Sequence, residues 1–172
     1  VDKKATPFDE LLKIVDDEVN KAAASLPVDI KEKGVEMSKA YLYVYCVENT
    51  LRLFVHQQSE LKFGSSYLNH IFINSKVKKK IQDRKDEETK SKFLTPRGNN
   101  DLYYMDFKEL GDVIIGNPDL LSHFPNEIWL KAKIEELGNI RNLIAHNNLI
   151  GEHEINILKA NYQSILRQIG TV

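Results

Sequence analysis

The run from Met37 to Lys62 constrains the fold more than any other stretch of this chain. Tyr41, Val44, Val47, Leu51, Phe54 and Val55 form an apolar stripe at helical spacing. Leu42, Tyr45, Cys46, Asn49, Leu53 and His56 form a second face beside it, so the helix is hydrophobic over much of its circumference. Such a helix has to be surrounded, which puts it at the centre of a helical bundle, and Gly64 supplies its stop. Within it Glu48 and Arg52 stand four residues apart and meet on one face. Two readings are open: a surface ion pair worth a few tenths of a kcal/mol, or a partly buried pair that positions its neighbours.

The flanking sequence supplies the other helices. Thr6-Pro7-Phe8-Asp9 is a helix start, with a cap, a proline suited to the first position and an early acid. Leu11, Leu12, Val15, Val19 and Ala22/Ala23 extend it over 7–25, and Leu26-Pro27 ends it. Residues 28–36, with Gly34, read as a connector or a short helical turn. The stretch 65–92 begins apolar and becomes strongly charged, and Thr95-Pro96-Arg97-Gly98-Asn99-Asn100-Asp101 is a loop. Asp106-Phe107-Lys108-Glu109 is a capping-box variant opening a helix over 107–115. Gly116-Asn117-Pro118 breaks that helix, and 119–124 is a short turn or helix. Asn126 caps a long helix over 126–146 whose apolar side holds Trp129, Ile134, Leu137, Ile140, Leu143 and Ile144. Asn147-Asn148 and Gly151 end it, and 152–169 is the last helix, with Ile155, Leu158, Tyr162, Ile165, Leu166 and Ile169 inward. No strand pattern competes and no internal repeat is visible. The expected architecture is an all-α, up-down helical bundle over 37–172, preceded by an N-terminal helix and connector over 1–36.

Bulk properties narrow the function. A chain of 172 residues is long enough for one well-buried core. Its net charge of -1 offers no global attraction for nucleic acid, so any such binding needs a local patch. Lys76, Lys78, Lys79, Lys80 and Arg84 are the candidates, although Asp83, Asp86, Glu87 and Glu88 dilute their field. A solvated helical arm is the default explanation for such a run. The lone Cys46 suits a reducing, cytoplasmic setting. No apolar run is long enough to span a membrane, and no signal-peptide pattern is present. The opening Val1-Asp2-Lys3-Lys4, without Met, is what a piece of something longer would show. His56, His70, His123, His146 and His153 have no metal-ligand spacing, Cys46 has no partner thiol, and no phosphate-binding glycine loop or nucleophile elbow occurs. Neither a metal nor an organic cofactor is expected.

The remaining constellation is Arg141-Asn142-Leu143-Ile144-Ala145-His146-Asn147, at the end of an amphipathic run. Five positions along an ideal helix rotate by about 140°, so Arg141 and His146 share a face only if the helix unwinds at the histidine. Asn147-Asn148 marks where it would do so. Metal-free RNA cleavage needs a base to deprotonate the 2′-hydroxyl, and a neutral imidazole suits that task near pH 7. A guanidinium can grip the phosphate and offset charge in the transition state, and Asn142 can orient either group. Requiring a 2′-hydroxyl would restrict the substrate to RNA. The opposing reading is a histidine that only hydrogen-bonds to free carbonyls or interacts with the dipole at a helix end.

This heptapeptide resembles the signature of HEPN domains, an all-α superfamily that includes many metal-independent endoribonucleases. The runs Tyr43-Val44-Tyr45-Cys46-Val47-Glu48-Asn49-Thr50-Leu51-Arg52 and Leu102 to Leu110 are similar to one branch. That branch includes the C-terminal domain of a eukaryotic nuclear-mRNA surveillance endonuclease and many bacterial defence proteins. The similarity spans roughly 40–165, with 1–36 outside it. It implies a homodimer in which Arg141 and His146 of two protomers form one RNA-cleaving cleft, with Asn142 in support and Glu48 and Arg52 organising it. It further implies a toxin or phage-defence role, paired with an antitoxin or fused to an effector domain. Some members keep the fold without catalysis, as dimerisation or RNA-binding modules, and that alternative stands beside the first.

Overall fold

The computed structural model describes residues 7–170. Among them the chain forms seven α-helices and no strand: α1 (Pro7–Ala22), α2 (Val28–Phe63), α3 (Ser75–Lys90), α4 (Phe107–Gly116), α5 (Pro118–Leu121), α6 (Glu127–Ala145) and α7 (Glu152–Gln168). Two 3₁₀ turns, Tyr67–Asn69 and Asp101–Tyr104, complete the elements. The all-α bundle is as expected. The cap at Thr6 lies outside the described residues.

α2 is the axis. It packs against α1, α4, α5, α6, α7 and both 3₁₀ turns. Val47, Leu51 and Val55 on α2 meet Leu110 and Ile114 of α4, Leu130 and Leu137 of α6, and Leu158 and Ile165 of α7 in one core. The stripe through Val44, Val47, Leu51, Phe54 and Val55 is therefore the buried one, while Tyr41 at its start is exposed. The second face is only partly covered: Tyr45 and Leu53 remain about half exposed. The helix is long because its N-terminal side differs from expectation. Residues 28–36 are not a connector but the first turns of α2, so the expected division between 36 and 37 falls inside one helix. Gly34 lies there on an open surface, where an added Cβ would meet nothing within 4 Å. At the other end Gly64 adopts φ 71° and its N–H returns to the Glu60 carbonyl, a stop that favours glycine.

The caps expected at α4 and α6 form. Asp106 accepts from the Glu109 N–H at 2.9 Å while Glu109 accepts from the Asp106 N–H at 2.8 Å, and Asn126 accepts from Trp129 N–H at 2.8 Å. α4 can then lie close to α6 because Gly111 faces Ile134, where a Cβ would approach Ile134 Cγ2 to 2.8 Å.

The charged helix α3 is only half an arm. Val77 and Ile81 are buried, and Lys76, Lys78 and Lys79 are exposed. Lys80 and Arg84 do not belong to a free basic patch, because both bind the buried Glu109 carboxylate. Glu109 thus serves α4 as a cap and α3 as an anchor. Burial opposes its ionisation, but hydrogen bonds from Arg84, the Asp106 N–H and Lys80 outweigh that and hold the carboxyl below its ordinary range.

A group held below its ordinary value contributes stability above its unfolded value, and that contribution disappears as pH falls through the folded one. Glu109→Gln should therefore cost about 3 kcal/mol in urea unfolding at pH 7, since it leaves Arg84 with only Asp106, 3.5 Å away, as a charge partner. The variant should also lose part of the acid sensitivity that the wild type shows below the ordinary glutamate value of 4.5. An identical pH profile in the two proteins would refute the role given to Glu109.

Candidate functional site

α6 ends in a Schellman turn. Its last residue is Ala145; His146 follows as the C-cap, and Asn147 takes φ 56°, a left-handed conformation that asparagine tolerates. The Asn147 N–H returns to the Ile144 carbonyl and the Asn148 N–H to the Leu143 carbonyl, each at 3.0 Å. The His146 N–H still bonds to the Asn142 carbonyl at 3.1 Å. The helical hydrogen bonding therefore runs through His146. Arg141 lines a groove of about 1100 Å³, whereas Asn142 and His146 are exposed and line none of it. His146 makes no side-chain hydrogen bond or ion pair with any described residue. Asn142 and His146, one turn apart and both exposed, lie outside the groove that Arg141 lines.

The pair on α2 is gathered. Glu48 and Arg52 form an ion pair with side chains only 11% and 13% exposed, which selects the buried reading. Arg52 also donates from Nε to the Leu102 carbonyl at 3.1 Å, from Nη2 to the Met105 carbonyl at 2.9 Å, and from Nη1 to Asn49 Oδ1 at 3.0 Å. The planar fork of the guanidinium satisfies all of these at once, which a lysine could not. The other Glu48 oxygen lies 3.7 Å from Arg141 Nε. Arg52 thus ties α2 to the 3₁₀ turn at Asp101–Tyr104, and Glu48 ties α2 to α6. The terminal nitrogens of Arg141 have no hydrogen bond to a described residue, so its charge faces the groove with the nearest carboxylate already paired.

The groove runs beside the first half of α2, between the end of α6 and the loop that precedes the 3₁₀ turn. Its charged lining is Lys33, Arg52, Arg97 and Arg141 against Glu48 alone. This is a local concentration of positive charge in a chain of net charge -1, and it does not include Lys76, Lys78, Lys79, Lys80 or Arg84. Lys33 comes from the stretch expected to be a connector, and Arg97 from the loop. Tyr41, Tyr45 and Tyr103 stand among these cations. The first two were visible only as members of an apolar helix, and no sequence signal joined them to Tyr103.

Acids of the charged run build the groove wall. Glu88, near the end of α3, accepts the Tyr104 hydroxyl at 2.7 Å and the Arg97 N–H at 3.0 Å, and lies 4.0 Å from Arg97 Nε. The Tyr104 hydroxyl and the Arg97 N–H hold the Glu88 carboxyl below its usual range. Gly98 packs directly on Tyr103, leaving no room for a Cβ, which would meet the ring carbon Cγ at 2.3 Å. Among the described residues no three His, Cys, Asp or Glu side chains gather as a metal site would require, and no helix is long and apolar enough to cross a membrane.

Removing the Arg52 guanidinium leaves Glu48 with only Arg141, 3.7 Å away, and deprives two carbonyls of their donor. Arg52→Ala and Arg52→Lys should both lower the unfolding free energy, the alanine by about 3 kcal/mol, as read by urea denaturation followed by circular dichroism. Wild-type stability in Arg52→Ala would show that the clamp contributes nothing. Comparison of the sequence and the fold with protein-family models, curated proteins and solved structures finds no significant match.

Proposed function

We propose that this chain is a metal-independent endoribonuclease of HEPN type, working as a homodimer, with Arg141 and His146 as the catalytic pair and Asn142 in support. The observation that carries the reading is the positive charge left in the groove around Arg141 once Arg52 is paired with Glu48: Lys33, Arg141 and Arg97, the last beside Glu88, in a chain that is slightly acidic overall. Arg141 grips the scissile phosphate and offsets its developing charge. His146 takes the proton from the 2′-hydroxyl, whose oxygen attacks the adjacent phosphorus and expels the 5′-oxygen, leaving a cyclic phosphate. Because His146 stands outside the groove that its own Arg141 lines, the imidazole that completes each site comes from a second copy. One protomer is half a site. A toxin or phage-defence effector restrained by an antitoxin, or fused to another domain, is the biological setting this activity fits.

The second reading is a non-catalytic HEPN module for dimerisation or RNA binding. The same separation of His146 from the groove favours it, since a pair that never converges does no chemistry.

Purified protein incubated with RNA in EDTA separates the two. The nuclease reading expects cleavage with cyclic phosphate ends, reduced at least roughly 100-fold in His146→Ala and in Arg141→Ala. It also expects slowed growth on expression of the wild type and normal growth with His146→Ala. Undiminished cleavage by His146→Ala would remove that residue from the mechanism. RNA binding without cleavage by the wild type would select the module.

A further inference from the structure

We infer that the groove beside α2 binds unpaired RNA by stacking its bases on Tyr41, Tyr45 and Tyr103, with Lys33, Arg97 and Arg141 taking the phosphates. This rests on reading the chain as an RNA-acting protein and names the form of RNA that it takes. Large aromatic side chains are normally covered, yet Tyr41, Tyr45 and Tyr103 are 57%, 54% and 41% exposed, and all three line the same groove. Tyr41 and Tyr45 stand one helical turn apart with ring centroids separated by 6.1 Å and planes tilted by 40°, so they offer stacking faces at successive steps along α2. Tyr103 answers them from the far wall, where Gly98 packs against its ring and holds it in place.

The chemistry of the lining selects the occupant. The lining also carries the aliphatic side chains of Ile30, Met37 and Ile144, and its charged groups beyond the Glu48–Arg52 pair are the cations Lys33, Arg97 and Arg141, with Arg97 also beside Glu88. The ligand must present flat apolar faces and negative charge in alternation. A single-stranded nucleic acid does so. A duplex hides its base faces in the stack and leaves the tyrosines nothing to cover. The groove follows α2 from Ile30 to Arg52, roughly 33 Å of helix, so it suits a strand rather than a single nucleotide.

The test uses 2′-O-methyl RNA, which cannot form the 2′-oxyanion and so reports binding without cleavage. Fluorescence anisotropy should show the wild-type protein binding a short single-stranded probe at least tenfold more tightly than the same sequence as a duplex. Tyr45→Leu and Tyr41→Leu should weaken single-strand binding roughly 5- to 100-fold, and Tyr45→Phe should restore it. Lys33→Gln and Arg97→Gln should each lower the salt dependence by about 0.7 per charge removed. Equal affinity for duplex, tyrosine variants that bind like the wild type, or no binding at all would each overturn the inference. So would a monomer–dimer equilibrium that Tyr45→Leu shifts while RNA binding stays unchanged, because the groove would then belong to a second copy. The nuclease reading fails separately. Cleavage of unmodified RNA without tyrosine-dependent binding refutes the stacking and leaves the nuclease, whereas tyrosine-dependent binding without cleavage does the reverse.

Discussion

The Arg52 guanidinium is the interaction on which the rest of this structure depends. Withdrawing a cation from water costs several kcal/mol, and the cost is offset only if every donor finds a good acceptor. Here one carboxylate, one amide oxygen and two main-chain carbonyls provide them. Those carbonyls belong to Leu102 and Met105, fifty residues along the chain, so one side chain fixes the 3₁₀ turn against α2. That turn carries Tyr103, and the paired Glu48 reaches across to Arg141. The clamp therefore sets both the far wall of the groove and its principal cation. A hydrophobic pair of the same size would hold the helices together equally well, but it would leave neither the arginine nor the tyrosine oriented.

A second network divides the labour in the charged segment. A run of mixed charges suggests solvation, and half of α3 is indeed exposed. The other half works inward. Arg84 and Lys80 converge on a glutamate that caps a different helix, and Glu88 gathers a tyrosine hydroxyl and the backbone of the loop carrying Arg97. Two of the cations in that run, Lys80 and Arg84, are structural, while Lys76, Lys78 and Lys79 stay exposed, and Glu88 supports the loop that lines the groove. Net charge could not distinguish these roles because it is blind to which charges are already paired.

The groove joins residues that have little in common as sequence. Lys33 lies on what read as a connector, Arg97 in a loop, Tyr41 and Tyr45 on a core helix, and Arg141 in the motif. Their convergence forms the groove on which the proposed RNA surface rests, and His146 lies outside its lining. That arrangement explains why a second protomer enters the proposal as a chemical requirement.

What the sequence determined by itself was whatever depends on neighbours within one or two helical turns. The periodicity of α2, the meeting of Glu48 with Arg52, the Asp106–Glu109 cap, the Asn126 cap and the stop at Asn147 are all interactions over three to five residues, which helical geometry alone specifies. Residues 28–36 escaped for a local reason too: Gly34 and mixed polarity lower helix propensity, and packing against α1 with continuity into a strong helix overrides it. Tertiary structure alone decided the rest. Whether an ion pair is buried, which carbonyls a guanidinium reaches, whether lysines face solvent or a buried acid, and which side of α6 meets the groove all depend on how helices distant in sequence pack. The position of His146 shows the boundary most clearly. The sequence marked the turn after it, but whether the winding ended just before or just after that residue rested on a single main-chain hydrogen bond to Asn142.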